Sequence, residues 1–122
     1  MGVSSLVSMK RMSPNRTSPR NHKIDTITIH CYVGQASIDD MAGWLCNPSA
    51  KASANYGIGS DGRIIALMDD NDRSWCSSSS SNDNRAITIE CASSKSHPYA
   101  INDKVYKCSF FLSTSAFFLS LL

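Results

Sequence analysis

Two stretches spaced sixty residues apart set the strongest limit on how this chain can fold. "TITIHCY" (26–32) and "AITIECA" (86–92) share an Ile-Thr-Ile start, and each ends on a residue able to do chemistry: His30 in the first, Glu90 in the second. Both alternate with period two, the mark of a β-strand with two distinct faces. In the first, Ile24, Thr26, Thr28 and His30 share one face, and Asp25, Ile27, Ile29 and Cys31 the other. If the two strands are parallel neighbours in register, His30 and Glu90 leave the same face about 5 Å apart at their backbones. Both would then lie at C-terminal strand ends, where open α/β sheets place ligand crevices.

The chemistry of that pair has two readings. A neutral imidazole is a common metal ligand, and a carboxylate beside a metal can take a proton from water, so together they suggest metal-assisted hydrolysis. In the plainer reading, His30 is a hydrogen-bonded strand-end histidine and Glu90 is solvated. A Cys31–His30 thiol pair is disfavoured, because adjacent strand residues point to opposite faces. His22 and His97 fall in polar segments and are expected to be exposed. Trp44 is expected in the core, and Trp75, in "RSWC", either lines a groove or packs inside.

The rest of the chain supplies the frame. Residues 1–22 are polar, carry Ser, Pro and Arg, and read as a poorly ordered lead-in. "ASIDDMAGWLCNP" opens on Ser37 with Asp40 three residues on, a capping box, and Ile38, Met41, Ala42 and Leu45 follow at helical spacing until Asn47-Pro48. "NYGIGSDGRIIALMD" reads as a hairpin turning at Asp61-Gly62. "DDNDRSWCSSSSSNDN" reads as a loop, and Asn102 as the cap of a helix beginning "DKVYKC". From Cys108 onward the composition turns apolar and uncharged, so 108–122 stands apart as a tail.

Composition narrows the function classes. At 122 residues with 42% hydrophobic and 18% charged residues, one folded domain is expected. The net charge of +2 gives no basis for nucleic-acid binding, and most of the early basic residues (Lys10, Arg11, Arg16, Arg20, Lys23) fit a solvated arm. Five cysteines without a CxxC exclude a zinc ribbon or redox motif, and Cys31 and Cys91 read as core thiols of a reducing compartment. The N-terminus has neither the apolar run of a secretory signal nor a myristoylation pattern. The C-terminal "SFFLSTSAFFLSLL" is too short to span a bilayer.

Four segments, "TITIHC", "SANYGIGSDGRI", "DRSWC" and "NDNRAITIECA", occur in an order and spacing that strongly resemble the zinc-dependent N-acetylmuramoyl-L-alanine amidases of the phage-lysozyme and peptidoglycan-recognition type. The lead-in "SPNRTSPRNHKIDTITIHC" is similar to versions from Firmicutes and their prophages. The resemblance covers residues 13–107 and implies an α/β fold, a mixed β-sheet with helices packed on it and a zinc ion in a surface groove. By that resemblance His30 is the first zinc ligand, and Glu90 matches the acidic residue that serves as general base. The implied reaction is hydrolysis of the amide between muramic acid and L-alanine in bacterial peptidoglycan, by an autolysin or endolysin acting at the cell wall as a monomer.

The departures are equally specific. The family completes its zinc site with a second histidine and an aspartate or cysteine near the domain's end, whereas no His follows His97 and no Asp follows Asp103 here. Some relatives carry a tyrosine where this chain has Ala54, just before Asn55 and Tyr56. The expectation is therefore an amidase domain over 23–107, truncated at its C-terminus, with one matched ligand and with Cys31, Cys91 or His97 as the available substitutes. Two other readings stay open beside it: a wall-binding module without metal, and a fragment without a stable fold. In the tail, Phe111, Leu112, Phe118 and Leu119 sit at near-helical spacing and are the candidates to replace a missing helix.

Overall fold

The computed structural model describes residues 2–120, with side chains through residue 115. Phe118 and Leu119 therefore lie outside the described side chains. In chain order the elements are β1 (Met9–Lys10), β2 (Arg16–Thr17), β3 (Thr26–Cys31), α1 (Ile38–Leu45), a 3-10 turn (Pro48–Ala50), β4 (Tyr56–Ile58), β5 (Ile64–Ala66), β6 (Arg73–Ser74), α2 (Ser80–Arg85), β7 (Ala86–Cys91) and α3 (Asp103–Ser120). Five strands form one mixed sheet in the order β1-β5-β4-β7-β3, and β2 pairs with β6 in a small antiparallel ribbon. The expected class, a mixed sheet with helices packed on it, is the one found. Among the described residues no helix is long and apolar enough to cross a membrane.

The two look-alike strands are parallel neighbours, with Ile27 opposite Ile87, Ile29 opposite Ile89 and His30 opposite Glu90. On the other side of β7, β4 also runs parallel, with Gly57 opposite Glu90. Register partners share a face, so His30, Glu90 and Gly57 form one row across the sheet. Helix α1 packs on that face, where a Cβ on Gly57 would meet Met41 Sδ at 2.7 Å and Ile65 Cγ2 at 3.0 Å. A side chain at position 57 would thus crowd Met41 and Ile65 where the helix meets the sheet.

Helix α1 forms as its sequence dictates. The Asp40 amide donates to Ser37 Oγ at 3.1 Å and the Ser37 amide to Asp40 Oδ2 at 3.0 Å, closing the capping box. Ile38, Met41, Ala42 and Leu45 are buried. Trp44, expected in the core, is 54% exposed, because position 44 falls outside that apolar stripe. The β4–β5 hairpin also forms, turning through Gly62 at φ 88°.

Helix α3 lies against β3, β4 and β7. Asn102 Oδ1 caps it by accepting from the Val105 amide at 2.9 Å, and Val105 and Leu112, two turns apart, are fully buried in the core. The abrupt change of composition at Cys108 does not interrupt the helix. Of the tail candidates, Leu112 packs inside, whereas Phe111 is 59% exposed and covers no core. Ile29, assigned to the apolar face of β3, is also largely exposed, because β3 is the edge strand and is paired only with β7.

The structure corrects two expectations about polar segments. The lead-in is ordered: β1 pairs with β5, β2 pairs with β6, and Ser4, Ser13, Asn15 and Arg20 are buried. Its side chains satisfy backbone groups of the domain. Asn15 Nδ2, for example, donates to the carbonyls of Asn47 at 2.9 Å and Ala52 at 3.0 Å. The stretch read as one loop over 69–84 holds strand β6 and helix α2, with Ser79 Oγ accepting from the Asn82 amide at the helix start. Serine there acts as a cap, which hydrophobic periodicity does not register.

Candidate metal centre

Parallel pairing brings the two strand ends together. His30 Nδ1 and Glu90 Oε1 lie 3.0 Å apart at the C-terminal ends of β3 and β7. The imidazole is 46% exposed and the Glu90 side chain only 10%, so the site opens to solvent on the histidine side. Burial pushes the Glu90 carboxyl above the ordinary range, and the neighbouring His30 opposes that shift. Its second oxygen, Oε2, is buried with no hydrogen-bond partner.

A third group completes the cluster. Cys76 Sγ lies 3.7 Å from Glu90 Oε1, and donor atoms of His30, Cys76 and Glu90 all fall within 4.8 Å of one another. Cys76 follows β6 and is fixed by Asp83 on α2, whose Oδ2 accepts from the Cys76 amide at 3.0 Å. Asp83, itself buried, also accepts from the Ser77 hydroxyl at 2.6 Å, so α2 anchors the segment that carries the thiol. Burial, with the Glu90 and Asp83 carboxylates adding to it, holds the thiol pKa well above its usual value.

This donor set fits zinc. Imidazole nitrogen, thiolate sulfur and carboxylate oxygen are its usual protein ligands, and a buried carboxylate oxygen with no partner is a place where a cation would restore balance. The sequence missed Cys76 as a donor. Its signal was the "DRSWC" segment itself, which precedes "NDNRAITIECA" closely enough to fold back on it, but no periodicity shows a thiol reaching across a sheet.

The substitutes that the sequence offered are elsewhere. Cys31 and Cys91 are register partners one step past His30 and Glu90, on the opposite face; Cys31 donates to Ser93 Oγ at 3.1 Å, and Cys91 is fully buried, its pKa pushed up to about 12 by that burial. His97 is exposed in a loop, edge-on to Tyr99, and His22 is exposed beside the Lys23 carbonyl. Neither histidine joins the cluster. Trp75 donates from its indole to Thr17 Oγ1 and lines a different depression with Lys51, Arg73 and Asp83. Asn55 is fully buried, with Oδ1 accepting from the Thr88 amide and Nδ2 donating to the Asp72 carbonyl, so its role is in the frame.

A groove of about 410 Å³ opens beside His30 and Glu90, walled by Tyr32, Val33, Trp44 and Leu45. The exposed indole of Trp44 thus faces a cavity shared with the two strand-end residues.

Residues 20–108 match the family model described as N-acetylmuramoyl-L-alanine amidase. The chain belongs to this amidase family. Its fold is shared with solved structures at low identity. The catalytic domain of XlyA matches with TM-score 0.70 and 19% identity, over 95% of this chain and 79% of that one. PlyL matches with TM-score 0.66 and 16% identity, over 86% of this chain and 66% of PlyL. The Staphylococcus aureus hydrolase AmiA, solved with its ligand, matches with TM-score 0.65 and 18% identity, over 91% of this chain and 56% of AmiA. This amidase chain therefore spans slightly under two thirds of PlyL and just over half of AmiA. No curated protein sequence matches it.

Proposed function

We propose that this chain carries the hydrolytic centre of a peptidoglycan amidase, cleaving the bond between N-acetylmuramic acid and the L-alanine of the stem peptide at the bacterial cell wall as a monomer. The observation that carries the reading is the His30–Glu90 pair, 3.0 Å apart at adjacent parallel strand ends and open to a groove, within a chain of the amidase family.

His30 would hold a zinc ion, which when bound polarises an amide carbonyl and makes water more acidic. Glu90, whose Oε1 faces His30, takes the proton of the attacking water and passes it to the departing amide nitrogen. The groove wall at Trp44 and Tyr32 gives the glycan or stem peptide an apolar surface to lie on.

The test is digestion of purified cell wall with the zinc-loaded chain, read as new N-terminal alanine. Glu90→Gln should keep the metal and lower turnover by about 10²–10⁴-fold, the usual contribution of a general base. His30→Ala should lose metal and hydrolysis together. Wall binding by the zinc-loaded chain with no alanine released would replace this reading with that of a wall-binding module.

A further inference from the structure

We propose that Cys76 is a direct metal donor of this centre, binding zinc as a thiolate beside the His30 imidazole. The proposal rests on the reading of His30 as a metal donor and extends it with a ligand that comes from neither look-alike strand.

Three observations converge on Cys76. The first is distance. In tetrahedral zinc sites the metal sits about 2.3 Å from sulfur and about 2.0–2.1 Å from nitrogen, so donor atoms lie roughly 3.3–3.7 Å from one another. The His30, Cys76 and Glu90 donors lie within 4.8 Å of one another, about 1 Å wider than that spacing, and the His30 ring is half-exposed rather than packed in place. The second is the Glu90 carboxylate, a side chain nine-tenths buried whose Oε1 faces both His30 and Cys76 while Oε2 has no hydrogen-bond partner. A cation held by His30 and Cys76 would sit against this carboxylate and offset its buried charge, leaving Glu90 its part in proton transfer. The third is rigidity. The Cys76 amide is held by Asp83, and Asp83 by α2, so the sulfur is presented in place rather than on a free loop.

The other thiols do not meet these conditions. Cys31 and Cys91 face away from the centre, the Cys46 sulfur lies 3.5 Å from the Arg11 carbonyl on the segment after α1, and Cys108 sits on α3 beside Gly62. On coordination the Cys76 proton leaves to solvent, and no other bond is made or broken.

Cobalt(II) titration of the metal-free full chain tests the assignment without any reliance on activity. Wild-type protein should bind cobalt with a thiolate-to-cobalt charge-transfer band in the near ultraviolet. Cys76→Ser, close in size and still able to donate to Glu90, should lose the band and weaken binding on the order of 10²-fold, the share of one donor in a protein zinc site. Cys31→Ser and Cys46→Ser should keep both, and Cys76→His should recover binding without the band. Circular dichroism of each variant reports whether it is folded. Failure of the wild type to bind cobalt, binding without a thiolate band, or a band that survives in folded Cys76→Ser would each overturn the proposal. If His30→Ala loses cobalt while Cys76→Ser keeps its band, only the Cys76 assignment fails. If neither variant changes binding, the reading of the centre itself fails with it.

Discussion

Arg20→Ala should be among the most damaging single substitutions in this chain, although Arg20 lies in a segment without hydrophobic pattern. Its guanidinium, in a residue only 7% exposed, donates from Nε to the Asp70 carbonyl at 2.9 Å and from Nη2 to the Asp72 carbonyl at 2.8 Å. Nη1 reaches three more carbonyls: Asn84 at 2.9 Å, Ala86 at 3.0 Å and Asp83 at 3.3 Å. One side chain therefore ties the lead-in to the β5–β6 connection, to α2 and to the first residue of β7. Burial lowers the Arg20 pKa, and the carboxylates of Asp70, Asp72 and Asp83 oppose that effect.

A hydrogen bond to a charged group contributes about 1.5–3 kcal/mol. Five of them do not add, because water enters part of the vacated space and one Nη1 hydrogen is shared. Removing the cation also leaves buried carboxylates unbalanced, and breaking a buried charge cluster in this way costs about 3–5 kcal/mol. Against a total stability of roughly 5–15 kcal/mol that is a large fraction, and for a domain of this size it lowers Tm on the order of 10–20 °C. Arg20→Lys keeps the charge but not the planar fork, and should recover less than half of the loss. Urea unfolding followed by circular dichroism measures the difference. A loss for Arg20→Ala below about 1 kcal/mol, with the urea dependence unchanged, would show that these carbonyls find other partners and that the lead-in is not integral to the domain.

Three further outcomes follow from the packing and the charges. Asp70 is buried, accepts from the Tyr56 hydroxyl at 2.7 Å, and has its pKa raised to about 6, chiefly by burial. Its folded pKa exceeds the unfolded one, so its favourable contribution is complete below about pH 4 and is lost as pH rises through about 6. Asp70→Asn should remove that slope and exceed the wild type by on the order of 2–3 kcal/mol at pH 8; an advantage that does not change from pH 4 to pH 8 would sink the assignment. Gly57→Ala should cost about 1–3 kcal/mol by overpacking Met41 and Ile65, and an unchanged melting curve would mean that Met41 simply swings aside. Leu112→Ala should cost about 2–5 kcal/mol, whereas Phe111→Ala should stay within about 0.5 kcal/mol; equal effects would mean that α3 does not seat as described.

What the sequence determined by itself is what repeats along one strand or one helix. The alternation of 26–31 and 86–91 specified two-faced strands, and a side-chain period of two excludes every odd shift between them. Of the even registers the unshifted one, which the structure adopts, sets His30 opposite Glu90. The Ser37–Asp40 box and the apolar stripe after it likewise specified α1, because capping and periodicity act within a few residues.

Tertiary structure decided the remainder, for a common physical reason. Polar side chains that stabilise by bonding distant backbone leave no periodic trace, so the order of the lead-in, with Ser13, Asn15 and Arg20 buried, was invisible in the sequence. The serine run hid a capped helix in the same way. Trp44 and Ile29 are exposed because burial depends on which element covers a face and where the sheet ends, and a local pattern contains neither. Cys76 meets His30 only because α2 holds its segment across the sheet from β3. The thiol of the candidate centre is brought there by chain crossing, which one-dimensional spacing does not encode.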